Sequence, residues 1–172
     1  MRKKRRERLS KFGTDERGEL AYLGEHVRLA DGTDRRAVLV ALWAPLAVAA
    51  VATVVPAALN PRGFAGCPYV LLPYVAQLML LVSVVWALVR LTAAGERVRA
   101  YVHGETAGSL PGRCVAGAVC ALVTFAGEIV LLALASEAPG PVELALFVGE
   151  AACAVALLAL RRSVAGIAWE PC

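Results

Sequence analysis

The chain has 172 residues, 59% of them apolar and 19% charged, and 18 of its 32 charged side chains fall within residues 1–36. The rest of the chain carries only 14, a density near one in ten, where a water-soluble domain carries about one in four. A simple soluble globule is excluded, because the apolar residues gather into four runs of membrane-spanning length instead of the mixed pattern that a water-facing surface needs.

The lead, MRKKRRERLSK, is polybasic, a composition that suits either nucleic acid or anionic lipid headgroups. No aromatic residue is interleaved in it to stack on bases. The bilayer beside it makes headgroups the expected partner and nucleic acid the disfavoured one. Residues 18–31, GELAYLGEHVRLAD, alternate loosely around a central glycine, which suits a short hairpin. An isolated hairpin is marginal in water, so it would dock on the membrane face or on a partner, the alternative being a disordered segment. Both the lead and the apolar stretch behind it are too long for a cleaved secretory signal.

Each span needs about 20 mainly apolar residues to cross about 30 Å of hydrocarbon. The first runs from about Ala37 to Leu59 and contains Pro45 and Pro56, tolerated in a bilayer where neighbouring helices re-satisfy the freed carbonyls. A bend is expected near Pro45. The second, Tyr69 to Val89, opens with Tyr69 and Tyr74 and carries Trp86 near its other end, as interfacial aromatic belts do. After it, WALVRLTAAGERVRAYVHGE keeps helical spacing. It reads as an extension of the second helix that sets Arg90, Arg97 and Arg99 beside the headgroups and frays near Gly104. The third span, Cys114 to Ser136, is interrupted by Glu128, and the fourth, Leu144 to Leu160, by Glu150. At 17 residues the fourth sits at the short limit for a span and should cross with little tilt.

Orientation follows from the basic residues near the span ends. Residues 1–36 hold 11 Lys or Arg, the connection 90–113 holds Arg90, Arg97, Arg99 and Arg113, and the tail 161–172 holds Arg161 and Arg162. The other two connections hold only Arg62. By the positive-inside rule both termini and the central connection face the cytoplasm. The excess of Arg over Lys, 15 to 3, suits a GC-rich bacterial gene and the plasma membrane as location.

Motif chemistry is sparse. Cys67, Cys114, Cys120, Cys153 and Cys172 include no C-x-x-C pair, and His26 and His103 lie far apart, so neither a redox pair nor a zinc site is expected. The cysteines within the spans read as small packing residues. There is no Walker loop, no G-x-S-x-G elbow and no H-E-x-x-H helix. Neither enzymatic activity nor a cofactor is expected.

Two buried carboxylates remain. Glu128 lies 11 residues before Pro139 and Glu150 lies 11 after it, so a turn at Ala138-Pro139-Gly140-Pro141 sets both at matching depth, roughly 16 Å into the bilayer. Gln77 comes within about a helical turn of that level, and Thr124 stands one turn before Glu128. No Lys or Arg lies within the four spans to neutralise the pair. Desolvation and mutual repulsion favour a protonated or proton-sharing state; otherwise a cation enters between them. Glu128, Glu150, Gln77 and Thr124 form the candidate proton or cation site. The plainer reading carries more weight. Gly117, Ala121 and Thr124 share a face with Glu128, and Ala145, Gly149, Ala152 and Ala156 form small-residue pairs on the fourth span, so the glutamates could act as interhelical hydrogen-bond glue.

The expected molecule is an all-α membrane protein, a four-transmembrane-helix bundle over residues 37–160 with cytoplasmic termini. The leading function is a structural or accessory subunit that binds itself or a membrane partner through small-residue helix faces. The alternative is a small proton-coupled transporter or channel. Small four-span multidrug exporters share the size but carry their carboxylate in the first span, and this first span has none.

Overall fold

The computed structural model describes residues 12–14, 20–22, 25–30, 33–95, 97–136 and 138–172. The helices are α1 (Arg35–Ala58), α2 (Pro68–Ala93), the short α3 (Ala100–Glu105), α4 (Leu110–Ala135) and α5 (Pro141–Ala165). Four of them, α1, α2, α4 and α5, are long and apolar enough to cross a membrane. Their starts have local causes. Asp34 caps α1 by accepting the Arg36 N–H at 2.9 Å, and α2, α4 and α5 each carry proline in the first turn, where a missing N–H costs nothing. Glu143 reaches back to the Gly140 N–H at 3.0 Å to complete the cap of α5. That helix is 25 residues long, beyond the 17 expected, because it absorbs Pro141–Glu143 at one end and the five residues from Arg161 to Ala165, among them Arg161 and Arg162, at the other. Basic side chains in a last turn are favoured by the helix dipole and can snorkel out of the hydrocarbon.

The polar connections differ more from expectation. α2 does not extend through residue 103. It stops at Ala93, and the chain reverses at Gly95, whose φ of +76° is a backbone state that a side chain would strain. Val98–Arg99 then forms a strand instead of a helical turn. The hairpin expected over residues 18–31 is also redistributed. β1 (Phe12–Thr14) pairs with β2 (Leu20–Tyr22), matching Phe12 to Tyr22. β3 (His26–Leu29) turns away to become the centre of a three-stranded antiparallel sheet in the order β4-β3-β5, with β4 at Val98–Arg99 and β5 at Trp169–Pro171. Val27 pairs with Val98, and Leu29 with Trp169. Partners distant in sequence win because Val27, Val98 and Trp169 pack together against the end of the bundle, where a local hairpin would leave them wet. This sheet, a β addition to an otherwise helical molecule, gathers the segment before α1, the α2–α4 connection and the tail after α5 at one end. We call that end the cap.

Packed neighbours run α1–α5–α4–α2 around the bundle, and α1 and α2 approach each other less closely. Side chains bridge that looser seam. Near the cap, Arg35 Nη2 donates to the Thr92 carbonyl at 2.8 Å and Trp43 Nε1 to Thr92 Oγ1 at 3.2 Å. The burial pattern is inverted relative to a soluble domain. Gln77, Glu128 and Glu150 are buried, while Val51, Leu72, Met79, Leu134 and Val148 stand open on the four long helices. Such an apolar exterior is solvated by lipid, and the chain is an integral, multi-pass membrane protein with four transmembrane helices.

Candidate functional site

All four polar residues singled out in the spans are sequestered: Gln77, Thr124 and Glu128 are 0% exposed and Glu150 is 1%. They do not form one group. Phe125 on α4 and Phe147 on α5 meet edge to face with ring centroids 5.1 Å apart, which fixes the register of these antiparallel helices. Glu128 lies three residues beyond Phe125 toward the end opposite the cap. Glu150 lies three residues beyond Phe147 toward the cap. At 1.5 Å per residue the two are offset by about 9 Å along the bundle. The count from Pro139 missed this because it took the turn as symmetric and ignored how the helices pack.

Glu150 belongs to a polar cluster contributed by α1, α2 and α5. Gln77 Nε2 donates to Thr53 Oγ1 at 3.2 Å and to Cys153 Sγ at 3.3 Å. Thr53 Oγ1 donates to the Ala49 carbonyl at 2.9 Å and lies 3.2 Å from Cys153 Sγ. Tyr74 Oη donates to the Thr53 carbonyl at 3.1 Å. The Gln77 side chain faces Glu150, yet among the described residues neither carboxylate oxygen of Glu150 nor Gln77 Oε1 has a partner at hydrogen-bond geometry.

Glu128 occupies a different well, at the end away from the cap. Its carboxylate lies against Gly63, in a short 3-10 turn at Arg62–Ala65, so closely that a methyl group on Gly63 would overlap it. The Gly63 N–H faces the carboxylate without reaching close hydrogen-bond geometry. Arg62 Nε pairs with Glu143 Oε1 at 3.4 Å beside it. Thr124 serves neither glutamate, since its hydroxyl donates to the Cys120 carbonyl one turn back at 3.1 Å.

On the cap side of the Glu150 cluster all four helices close into an apolar layer, including Leu42, Leu46, Leu81, Leu88, Leu157 and Leu160. The small-residue faces are used within the chain. Gly117 packs on Leu157, Gly127 on Tyr69 and Val70, and Gly149 on the Ala52 carbonyl and Pro56. Thr53, Gly63 and Glu143 escaped the sequence reading, which took Arg62 only as a loop cation, Cys153 only as a packing residue, and Tyr74 as an interfacial aromatic, whereas Tyr74 is buried in the bundle and bonded to α1. Of these only Cys153 carried a signal, three residues after Glu150 on the same helical face.

Among the described residues no group of three or more His, Cys, Asp or Glu could hold a metal ion, and no catalytic cluster is formed. The chain matches no family model, no curated protein and no solved structure.

Proposed function

We propose that the protein is a structural or accessory subunit of a bacterial cytoplasmic membrane, non-enzymatic, with the cap and both termini in the cytoplasm. Orientation rests on the positive-inside count: the three segments meeting at the cap hold 17 of the 18 Lys and Arg residues. The observation that carries the functional reading is that the small-residue seams at Gly117, Gly127 and Gly149 pack within the chain and not, as the sequence suggested, against a partner, so bundle assembly accounts for them without a transport role. They tie α4 to α2 and α5, and α5 to α1, in the manner of membrane helix packing. Partners, whether a second copy or another membrane subunit, would then meet the apolar exterior or the cap. The basic lead, residues 1–11, lies outside the described residues, and its proposed role remains contact with anionic headgroups.

A second reading has one observation in its favour. The four carboxylate oxygens of Glu128 and Glu150 are buried without close partners among the described residues, an arrangement that suits a proton or cation site in a small transporter or channel. Against it stand the offset between the two groups and the apolar layer on the cap side of Glu150. Both readings meet in one experiment on Glu128→Gln combined with Glu150→Gln, reconstituted in vesicles loaded with a pH dye. The accessory role expects unchanged proton flux and a folded protein with altered co-purification of partners or copies. Flux above protein-free vesicles that disappears in the double variant would replace it with the transporter reading.

A further inference from the structure

A basic cavity opens at the cap end of α2, apart from both carboxylates. It has a volume of about 380 Å³ and is lined by Arg90, Arg97 and Arg99 together with Tyr101 and the apolar Ala93 and Val102. Among the described residues its lining brings three guanidinium groups together and includes no carboxylate. Arg90 Nη1 lies 3.5 Å from Glu105 Oε2, and Arg99 Nη1 donates to Tyr101 Oη at 3.4 Å. Arg97 has no ion pair among the described residues. Glu96 is the one acid between Arg90 and Arg99 in the sequence, so the stretch remains net positive. A neighbouring cavity shares Arg90 and adds Arg113 and Trp86. Planar guanidinium groups converging on one space match the oxygens of a phosphate, which they can bind two at a time.

What lies beside the cavity selects the kind of phosphate. Val82, Trp86 and Val89 are 64%, 63% and 42% exposed, and their spacing puts them on one face of α2. That strip leads through the bilayer to Arg90, and Trp86 sits where a headgroup-level aromatic belongs. A soluble phosphate compound would have no use for it. We propose that this is a binding site for an anionic phospholipid, with Arg97 and Arg99 holding the phosphate and one acyl chain lying along Val82, Trp86 and Val89. The site requires only that α2 crosses the bilayer, and it stands whether the protein is an accessory subunit or a transporter.

The experiment uses the full chain in mild detergent, with lipid retention read by native mass spectrometry. Dioleoylphosphatidylglycerol is expected to be retained in preference to dioleoylphosphatidylcholine. Arg97→Gln with Arg99→Gln should weaken that retention about tenfold or more, whereas Arg161→Gln with Arg162→Gln, at the end of α5, should leave it unchanged. Equal retention of the two lipids, or an unaffected Arg97/Arg99 variant, overturns the proposal. Displacement of the lipid by millimolar inorganic phosphate would assign the site to a soluble anion and overturn the lipid. Should the Arg97/Arg99 variant melt early, wild-type protein is photolabelled with phosphatidylglycerol carrying a diazirine on its acyl chain. Adducts on residues 82–89 support the site, and adducts confined to other helices refute it.

Discussion

Thr53 shows how one small hydroxyl can organise a polar cluster inside a bilayer. It bonds back to Ala49, receives Gln77 and lies beside Cys153, while its carbonyl receives Tyr74. Thr53→Val keeps the shape and removes the hydroxyl, so Gln77 loses an acceptor. A loss of about 1 kcal/mol is expected, read as a lower midpoint for unfolding in detergent, with Thr53→Ser retaining most of the stability. Gly149 poses a steric test. A Cβ there would collide with the Ala52 carbonyl and Pro56, so Gly149→Ala should push α1 from α5 at a cost of about 1–3 kcal/mol. Gly112→Ala meets open space and should be neutral or slightly stabilising in the same measurement. The burial of Gln77, Thr124, Glu128 and Glu150 was legible from their isolation in apolar runs. Their partners were not, because a lone threonine or cysteine in such a run reveals nothing about which helix it will face. Thr124 illustrates the ambiguity, since a threonine within a helix can always bond to the carbonyl four residues back.

Helix existence was legible from the length of the apolar runs, whereas helix ends were set by caps. Asp34, Pro68, Pro111, Pro141 and Glu143 fix where helices begin, and left-handed Ser136 marks where α4 stops. The stretch after α2 kept a helical spacing, and a single glycine in such a pattern is locally tolerated. The pairing of Val98 with Val27 decided the outcome, and that contact joins segments too far apart for any local pattern to foretell. Gly95→Ala tests the balance between the two. A side chain at that positive φ costs roughly 1–2 kcal/mol and favours continuation of α2. The expected result is faster amide hydrogen exchange in β3 and β4, with protection in α4 and α5 unchanged. Equal exchange throughout would mean that the reversal does not depend on glycine.

For the whole molecule, the sheet constrains topology independently of the count of basic residues. Segments before α1, between α2 and α4, and after α5 hydrogen-bond to one another, so they share one side of the membrane, as four crossings require. Which side is testable with an impermeant thiol reagent on intact cells. Cys67, half-buried at the start of α2, should label from outside. Exposed Cys172 should label only after the membrane is opened, and buried Cys114 and Cys153 in neither case. Labelling of Cys172 on intact cells would invert the proposed orientation. The number of membrane-spanning helices was foreseeable from hydropathy. The offset between Glu128 and Glu150 was not, because helix register is a product of packing.

The central strand of the sheet also imposes an order on biogenesis. β3 leaves the ribosome early, its neighbour β4 arrives only after two helices have been inserted, and β5 follows the last of them. Val27 and its surroundings must therefore wait, half paired, while the rest of the polypeptide is being threaded into lipid. Closure of the sheet is a late event that can occur only once every crossing has been made in the correct sense.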